Sequence, residues 1–157
     1  MKLFKHEGDK FIFDLGQRER ALWQAVLGHY PLLPASHHKL TRATDAGVDP
    51  SDQKLLEEAM SALKREHQSR VKEFLKNQGR FVAQGSGYRL TLSRQDLEWL
   101  LQVLNDVRVG SWMKLGCPDP DEGKLPALTD ANAPFLFLME LSGQFECELL
   151  EALDGLA

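Results

Sequence analysis

The sequence has few of the features that stabilise small secreted domains or span membranes. Of its 157 residues only Cys117 and Cys147 are cysteines, and their separation fits no metal or redox motif. We predict two reduced thiols in a cytoplasmic protein, with a disulfide between them as the alternative. The longest apolar run, 134–139, is too short to span a bilayer. No apolar stretch follows Met1, which predicts that there is no signal peptide.

Positive charge and the common catalytic motifs are also lacking. The 19 basic residues are outnumbered by 23 acidic ones, and the net charge of −4 argues against non-specific binding to DNA or anionic lipid. There is no phosphate-binding loop, dinucleotide fingerprint or nucleophile elbow. His37 and His38 have no second histidine pair at ligand spacing, and the acidic segment 118–123 lacks the spacing of a calcium loop. The sequence therefore predicts no metal, no cofactor and no identifiable catalytic residue.

The length and the ordinary apolar content of 43% predict one globular domain over residues 1–157. Two β-hairpins are predicted, which we expect to join in one small antiparallel sheet. The first pairs residues 3–6 with 10–13, and the second turns at 85–87. The alternating apolar residues of the second hairpin are Tyr88, Leu90 and Leu92.

The rest of the chain predicts helices and a long polar loop. The expected helices cover about 17–29, 51–75, 93–116 and 133–153. Asp14 is expected to cap the first helix, and Ser93 with Asp96 the third. Residues 34–50 are rich in turn formers, so we predict a long loop there, the least ordered internal segment. The apolar stripe expected on the second helix is Leu56, Met60, Leu63, His67, Val71 and Phe74.

The third helix is apolar nearly all round, so we expect it to be central. The predicted fold class is α+β and mostly helical, with about four helices packed around the helix 93–116. Arg108 interrupts one apolar stripe of that helix, and Glu146 interrupts the matching stripe of the last helix. If the two helices pack antiparallel, Arg108 meets Glu146, and a buried guanidinium requires such a partner. We therefore predict a largely buried, bidentate ion pair, completed by Asn105.

Asp106 points away from Arg108, among apolar residues, and its partner cannot be named from the sequence. Asn105, Asp106, Arg108 and Glu146 together form the candidate site. A structural ion pair is the favoured interpretation, because buried charges are usually paired. The alternative is a pocket for an anionic ligand, since perturbed charges also cluster at functional sites.

The segment from Trp99 to Gly116 also resembles an uncharacterised bacterial domain-of-unknown-function family. Its members carry a Trp-Leu-x-Val-Leu-Asn-Asp-x-Arg helix and a following Leu-Gly. The resemblance extends to the last helix and is looser over the N-terminal half, and it departs from the family at 110–112. Because that family has no established activity, the resemblance implies no catalytic residue.

Three functions follow as hypotheses. The first is a non-enzymatic, adaptor-like interaction or regulatory protein that binds a protein partner through helix faces. It includes a homodimer through the last helix, because Phe137 and Leu141 lie off its apolar stripe. The second is a nucleic-acid-binding regulator that uses the basic face of helix 51–75. The third is an anionic ligand binder or enzyme at Asn105, Asp106 and Arg108. Residues of the basic face are Lys54, Lys64, Arg65, Lys72 and Lys76.

Overall fold

The computed structural model describes residues 1–37, 49–119 and 127–155, and its architecture is α+β and mostly helical, as predicted. The strands are β1 (Lys2–Glu7), β2 (Lys10–Gly16), β3 (Phe81–Gln84) and β4 (Gly87–Ser93). The helices are α1 (Gln17–Gly28), α2 (Pro50–Lys76), α3 (Arg94–Lys114) and α4 (Ala133–Asp154). Short 3-10 turns cover Ala35–His37 and Gln78–Arg80.

The four strands form one antiparallel sheet in the order β1-β2-β4-β3. The two hairpins meet where β2 pairs with β4, from Lys10 opposite Ser93 to Gly16 opposite Gly87. Side chains alternate across this sheet. Consequently the central side chains on one face of β2 and β4 are buried and form one wall of the core, while the other face carries polar and exposed residues. The buried face contains Phe11, Phe13, Leu15, Leu90 and Leu92.

The helix starts follow local capping chemistry, with one correction. Ser93 and Asp96 cap α3 reciprocally, as predicted: the Ser93 hydroxyl accepts from the Asp96 amide, and Asp96 accepts from the Ser93 amide. The prediction that Asp14 caps α1 is wrong, because pairing with β4 extends β2 to Gly16. Asp14 instead accepts from Nε of Arg89 at 3.1 Å, and Glu19 accepts from the Gly16 amide at 2.7 Å.

The sequence predicted which residues of α2 face the core. This prediction is correct at the C-terminal end of the helix and wrong in its middle. Val71 and Phe74 are buried as expected. Leu63, however, is exposed, and Lys64 is buried in its place. The core-facing line of the helix therefore runs Met60, Lys64, His67, Val71, with Met60 and His67 half-buried; it keeps the four-three spacing but includes a charge.

Helix α3 is central, as its composition predicted. One side packs along α4, and another contacts α1 and the sheet. A third side meets α2, where Trp99 lies against Phe74 and His67. Among the described helices none has the length and apolarity needed to cross a membrane. Most of the loop predicted over 34–50 lies outside the described residues, as does most of the acidic segment after Pro118.

Candidate functional site

Asp106 finds its partners on α2 and on the segment that follows α1. Its Oδ1 accepts hydrogen bonds from the amides of Leu32 at 2.7 Å and Leu33 at 3.1 Å. Its Oδ2 accepts from Nζ of Lys64, and both side chains of this ion pair are buried. With three donors on one carboxylate, Asp106 holds α2 and the 32–33 segment against α3. This arrangement is that of a structural anchor.

Gly110, one turn after Asp106, lets the same segment approach α3 closely. A Cβ at this position would lie 2.4 Å from Cβ of Leu32 and 3.1 Å from its carbonyl carbon. Real Cβ atoms do not approach other atoms so closely, because the repulsion is too strong. Gly110 is therefore required where the 32–33 segment crosses the helix.

Arg108 lies on the other side of α3 and does meet Glu146, as predicted. Nε of Arg108 is 2.8 Å from Oε2 of Glu146, and its Nη2 donates to Oδ1 of Asn105 at 2.9 Å. The contact is through one carboxylate oxygen, however, and Oε1 of Glu146 has no hydrogen-bond partner among the described residues. The predicted bidentate geometry is wrong.

The two charges of this pair also differ in exposure. The Glu146 side chain is 13% exposed, whereas the Arg108 side chain is 44% exposed, so the prediction that both are largely buried is wrong. Burial raises the pKa of the Glu146 carboxyl, and the charge of Arg108 only partly opposes this. Glu146 therefore depends on Arg108 for compensation, while Arg108 retains contact with solvent.

The exposed side of Arg108 lines a groove between α3 and α4 with a volume of about 780 Å³. The groove has a mainly apolar surface, in which Trp112 is 38% exposed and Phe137 is 50% exposed. The Trp112 indole is fixed in place, because its Nε1 donates to the carbonyl of Pro118 at 3.0 Å. The α4 residues along the groove are Phe137, Met139, Glu140, Leu141, Gly143, Gln144 and Cys147.

The antiparallel packing of α3 and α4 sets the register of this groove. Cδ of Arg108 lies 3.6 Å from the position a Cβ of Gly143 would occupy. One turn later, Trp112 shares the groove with Phe137 and Met139. The groove has no excess of positive charge, because Arg108 is offset by Glu146 beside it and a second carboxylate, Glu140, lies on the α4 wall. An anionic ligand therefore meets no net positive charge here.

The candidate residues named from the sequence divide into two places. Asp106 belongs to the anchor on the α2 side, and Arg108 with Glu146 belongs to the groove on the α4 side. Asn105 lies between them: it contacts Arg108 and also lines a small cleft of about 180 Å³ that Asp106, Lys64 and His67 share. The hypothesis that one pocket contains Asn105, Asp106 and Arg108 is therefore wrong: Arg108 lines the groove, and Asp106 lines the small cleft.

Lys64 is the contributor to the Asp106 anchor that sequence analysis missed. A signal for Lys64 existed, since it lies four residues after Met60 and three before His67, where a helix repeats its face. Lys64 had instead been assigned to the basic outer face of helix 51–75. That face loses its central cation, and Lys54 lies 3.9 Å from Glu58, so the basic surface is smaller than predicted.

Other reactive groups within the described ranges do not assemble into a site. Cys117 and Cys147 are both free and exposed, so they form no disulfide with each other. No group of three or more histidine, cysteine or acidic side chains within 1–37, 49–119 and 127–155 has the arrangement of a metal site.

Comparison with known proteins identifies no relative of this chain. No protein-family model, no curated protein sequence and no solved structure matches this chain. The resemblance of the Trp99–Gly116 helix to a bacterial family therefore stays a prediction.

Proposed function

We propose that this protein is a non-enzymatic interaction protein that binds a helix of a protein partner in the α3–α4 groove. One observation carries the proposal: Trp112 and Phe137 are large, exposed aromatic side chains on two adjacent helices and line one apolar groove. Soluble proteins rarely leave such contiguous apolar surface uncovered unless it binds something.

The chemistry of the groove favours a protein over a small molecule. Trp, Phe, Met and Arg are enriched in the centres of protein interfaces, and each is present here. The hydrogen bond from Trp112 to Pro118 holds the indole in one orientation, which lowers the entropy lost on binding. An apolar groove between two packed helices is a common receptor for an amphipathic helix.

The lack of net positive charge in the groove supports the same choice. A binder of small anions needs uncompensated cations, whereas Arg108 is already beside Glu146 and Asn105. An exposed arginine of this kind orients an acidic residue at the edge of a partner helix and contributes specificity more than affinity.

The test compares substitutions at matched exposed apolar residues. Tagged wild-type protein, Phe137→Glu and Leu55→Glu are used to capture proteins from lysate that also contains a second, differently tagged copy of the chain. Leu55 is the control, because it is exposed but lies on α2 away from the groove. We expect partners recovered by wild type and Leu55→Glu to be lost with Phe137→Glu. Equal recovery by all three would contradict the proposal.

A further inference from the structure

We infer that the helix bound in the groove is α4 of a second copy of this chain, in an antiparallel, two-fold symmetric dimer centred near residue 142. This inference rests on the proposed function and names the partner of the same site. A two-fold interface requires a surface complementary to itself. The outer face of α4 has this property.

The self-complementarity appears in the order of the exposed residues on α4. Phe137, Glu140, Gln144 and Cys147 are all exposed and all line the groove, with successive spacings of three, four and three. An antiparallel copy centred at 142 places Phe137 opposite the partner's Cys147, and Glu140 opposite the partner's Gln144. Apolar therefore meets apolar, and a carboxylate meets an amide that can donate to it.

Arg108 adds a charge contact in the same arrangement. It lies beside Gly143, which in the antiparallel register is level with the partner's Leu141. The carboxylate of the partner's Glu140 is then within reach of the guanidinium. The dimer forms this contact twice, so the opposite charges of the groove walls become complementary.

The same register gives Trp112 an apolar neighbour. Trp112 lies one helical turn from Arg108, on the side towards Phe137. An antiparallel copy brings the partner's Cys147 end to this position. The two exposed aromatics of the groove are then covered at the ends of the contact, and Glu140 and Gln144 occupy its centre.

The first experiment is sedimentation velocity over a wide concentration range on wild type, Glu140→Arg and the control Glu151→Arg. Glu151 is an exposed acid of α4 outside the groove. Because Glu140→Arg places like charges against Arg108, we expect its dissociation constant to rise about tenfold or more. Glu151→Arg should dimerise as wild type does. A monomer at every concentration would overturn the dimer. Equal dissociation constants for all three proteins would overturn the proposed interface, because the Glu140–Arg108 contact would then be absent from it.

The second experiment tests the antiparallel register by disulfide formation. In a Cys117→Ser background, Phe137→Cys should form an intermolecular disulfide with the native Cys147 under mild oxidation, because facing positions of packed helices are within disulfide reach. Adding Cys147→Ser should abolish it. A disulfide that survives Cys147→Ser would indicate a parallel pair and overturn the inference.

The two proposals fail in different ways. A monomeric wild type whose captured partners are still lost with Phe137→Glu would overturn the homodimer and leave the groove as a site for another protein. A monomeric wild type whose captured proteins do not depend on Phe137 would overturn both.

Discussion

Two ion pairs on opposite sides of α3 differ in what surrounds them. In the Lys64–Asp106 pair the side chains are 11% and 8% exposed, and two backbone amides complete the carboxylate's hydrogen bonds. In the Arg108–Glu146 pair they are 44% and 13% exposed. The first pair holds three parts of the chain together. The second leaves a cation at the surface of an apolar groove, where it can serve binding.

The largest effect is expected from removing the buried acceptor. Asp106→Ala leaves the Lys64 ammonium buried without its carboxylate and removes the acceptor of two amides, so it should lower the free energy of unfolding by about 3–5 kcal/mol. Urea denaturation measures this value. The exposed Glu140→Ala, on the groove side, should change it by less than about 0.5 kcal/mol. A loss below about 1 kcal/mol for Asp106→Ala would mean that the anchor is not structural.

Gly110 and Gly143 allow the anchor side of α3 to be compared with its groove side. Gly110→Ala places a methyl group against Leu32 at 2.4 Å and should destabilise the protein by about 1–3 kcal/mol through overpacking. Gly143→Ala meets Arg108 at the ordinary contact distance of 3.6 Å. It should be neutral, or stabilise by up to about 1 kcal/mol through helix propensity. Equal thermal shifts for the two variants would contradict the packing described for α3.

The half-exposed pair should respond asymmetrically to truncation. Arg108→Ala leaves the carboxylate of Glu146 in a mostly buried place and should cost about 1–3 kcal/mol. Glu146→Ala leaves Arg108 in contact with water and should cost about 1 kcal/mol or less. Chemical denaturation of both variants tests this. Equal losses of several kcal/mol would instead indicate a fully buried pair.

The pH dependence of stability should have opposite signs at two carboxylates. Burial by itself would raise the pKa of Asp96, but hydrogen bonds from Arg80, the Ser93 backbone and Arg70 hold it below its ordinary value. Its contribution is therefore present above the unfolded value of about 3.9 and is lost as pH falls through the lower folded pKa. The stability advantage of wild type over Asp96→Asn should shrink in acid.

Glu146 should behave in the opposite way, because burial raises its pKa. Its protonation favours the fold, so its contribution is fully present below the unfolded value of about 4.3 and is lost as pH rises through the higher folded pKa. Relative to Glu146→Gln, wild type should gain stability as pH falls. Unfolding free energies measured from pH 7 to pH 2 test both signs, because the Glu146 window lies above about pH 4 and the Asp96 window lies below it. Parallel curves for the two variants would contradict them.

The sequence predicted the contact that two adjacent helices make, because both carry the same four-three spacing. Arg108 and Glu146 could be matched in this way. It could not predict how exposed Arg108 is, since the spacing within two helices does not say what covers their outer side. Lys64 was missed for a related reason: its contact with Asp106 joins residues on two helices that lie 42 positions apart in the chain, and the spacing within each helix does not show that the two helices meet.

The remaining differences have similar causes. Asp14 fits the sequence pattern of a helix cap, but its pairing with Arg89 on β4 is a contact between distant parts of the chain. The amides of Leu32 and Leu33 belong to an irregular segment, for which helical and strand periodicities give no information. The sequence predicted contacts between residues that are close together in the chain, such as the Ser93–Asp96 cap at the start of α3.

The central claim is that the α3–α4 groove, on the exposed side of Arg108, is the surface that binds protein. The most direct measurement is site-specific photo-crosslinking with benzoylphenylalanine placed at Phe137 or at Leu55, two exposed apolar positions on different helices. We predict specific protein adducts from position 137 and none from position 55. Adducts from position 55 with none from position 137 would contradict the account.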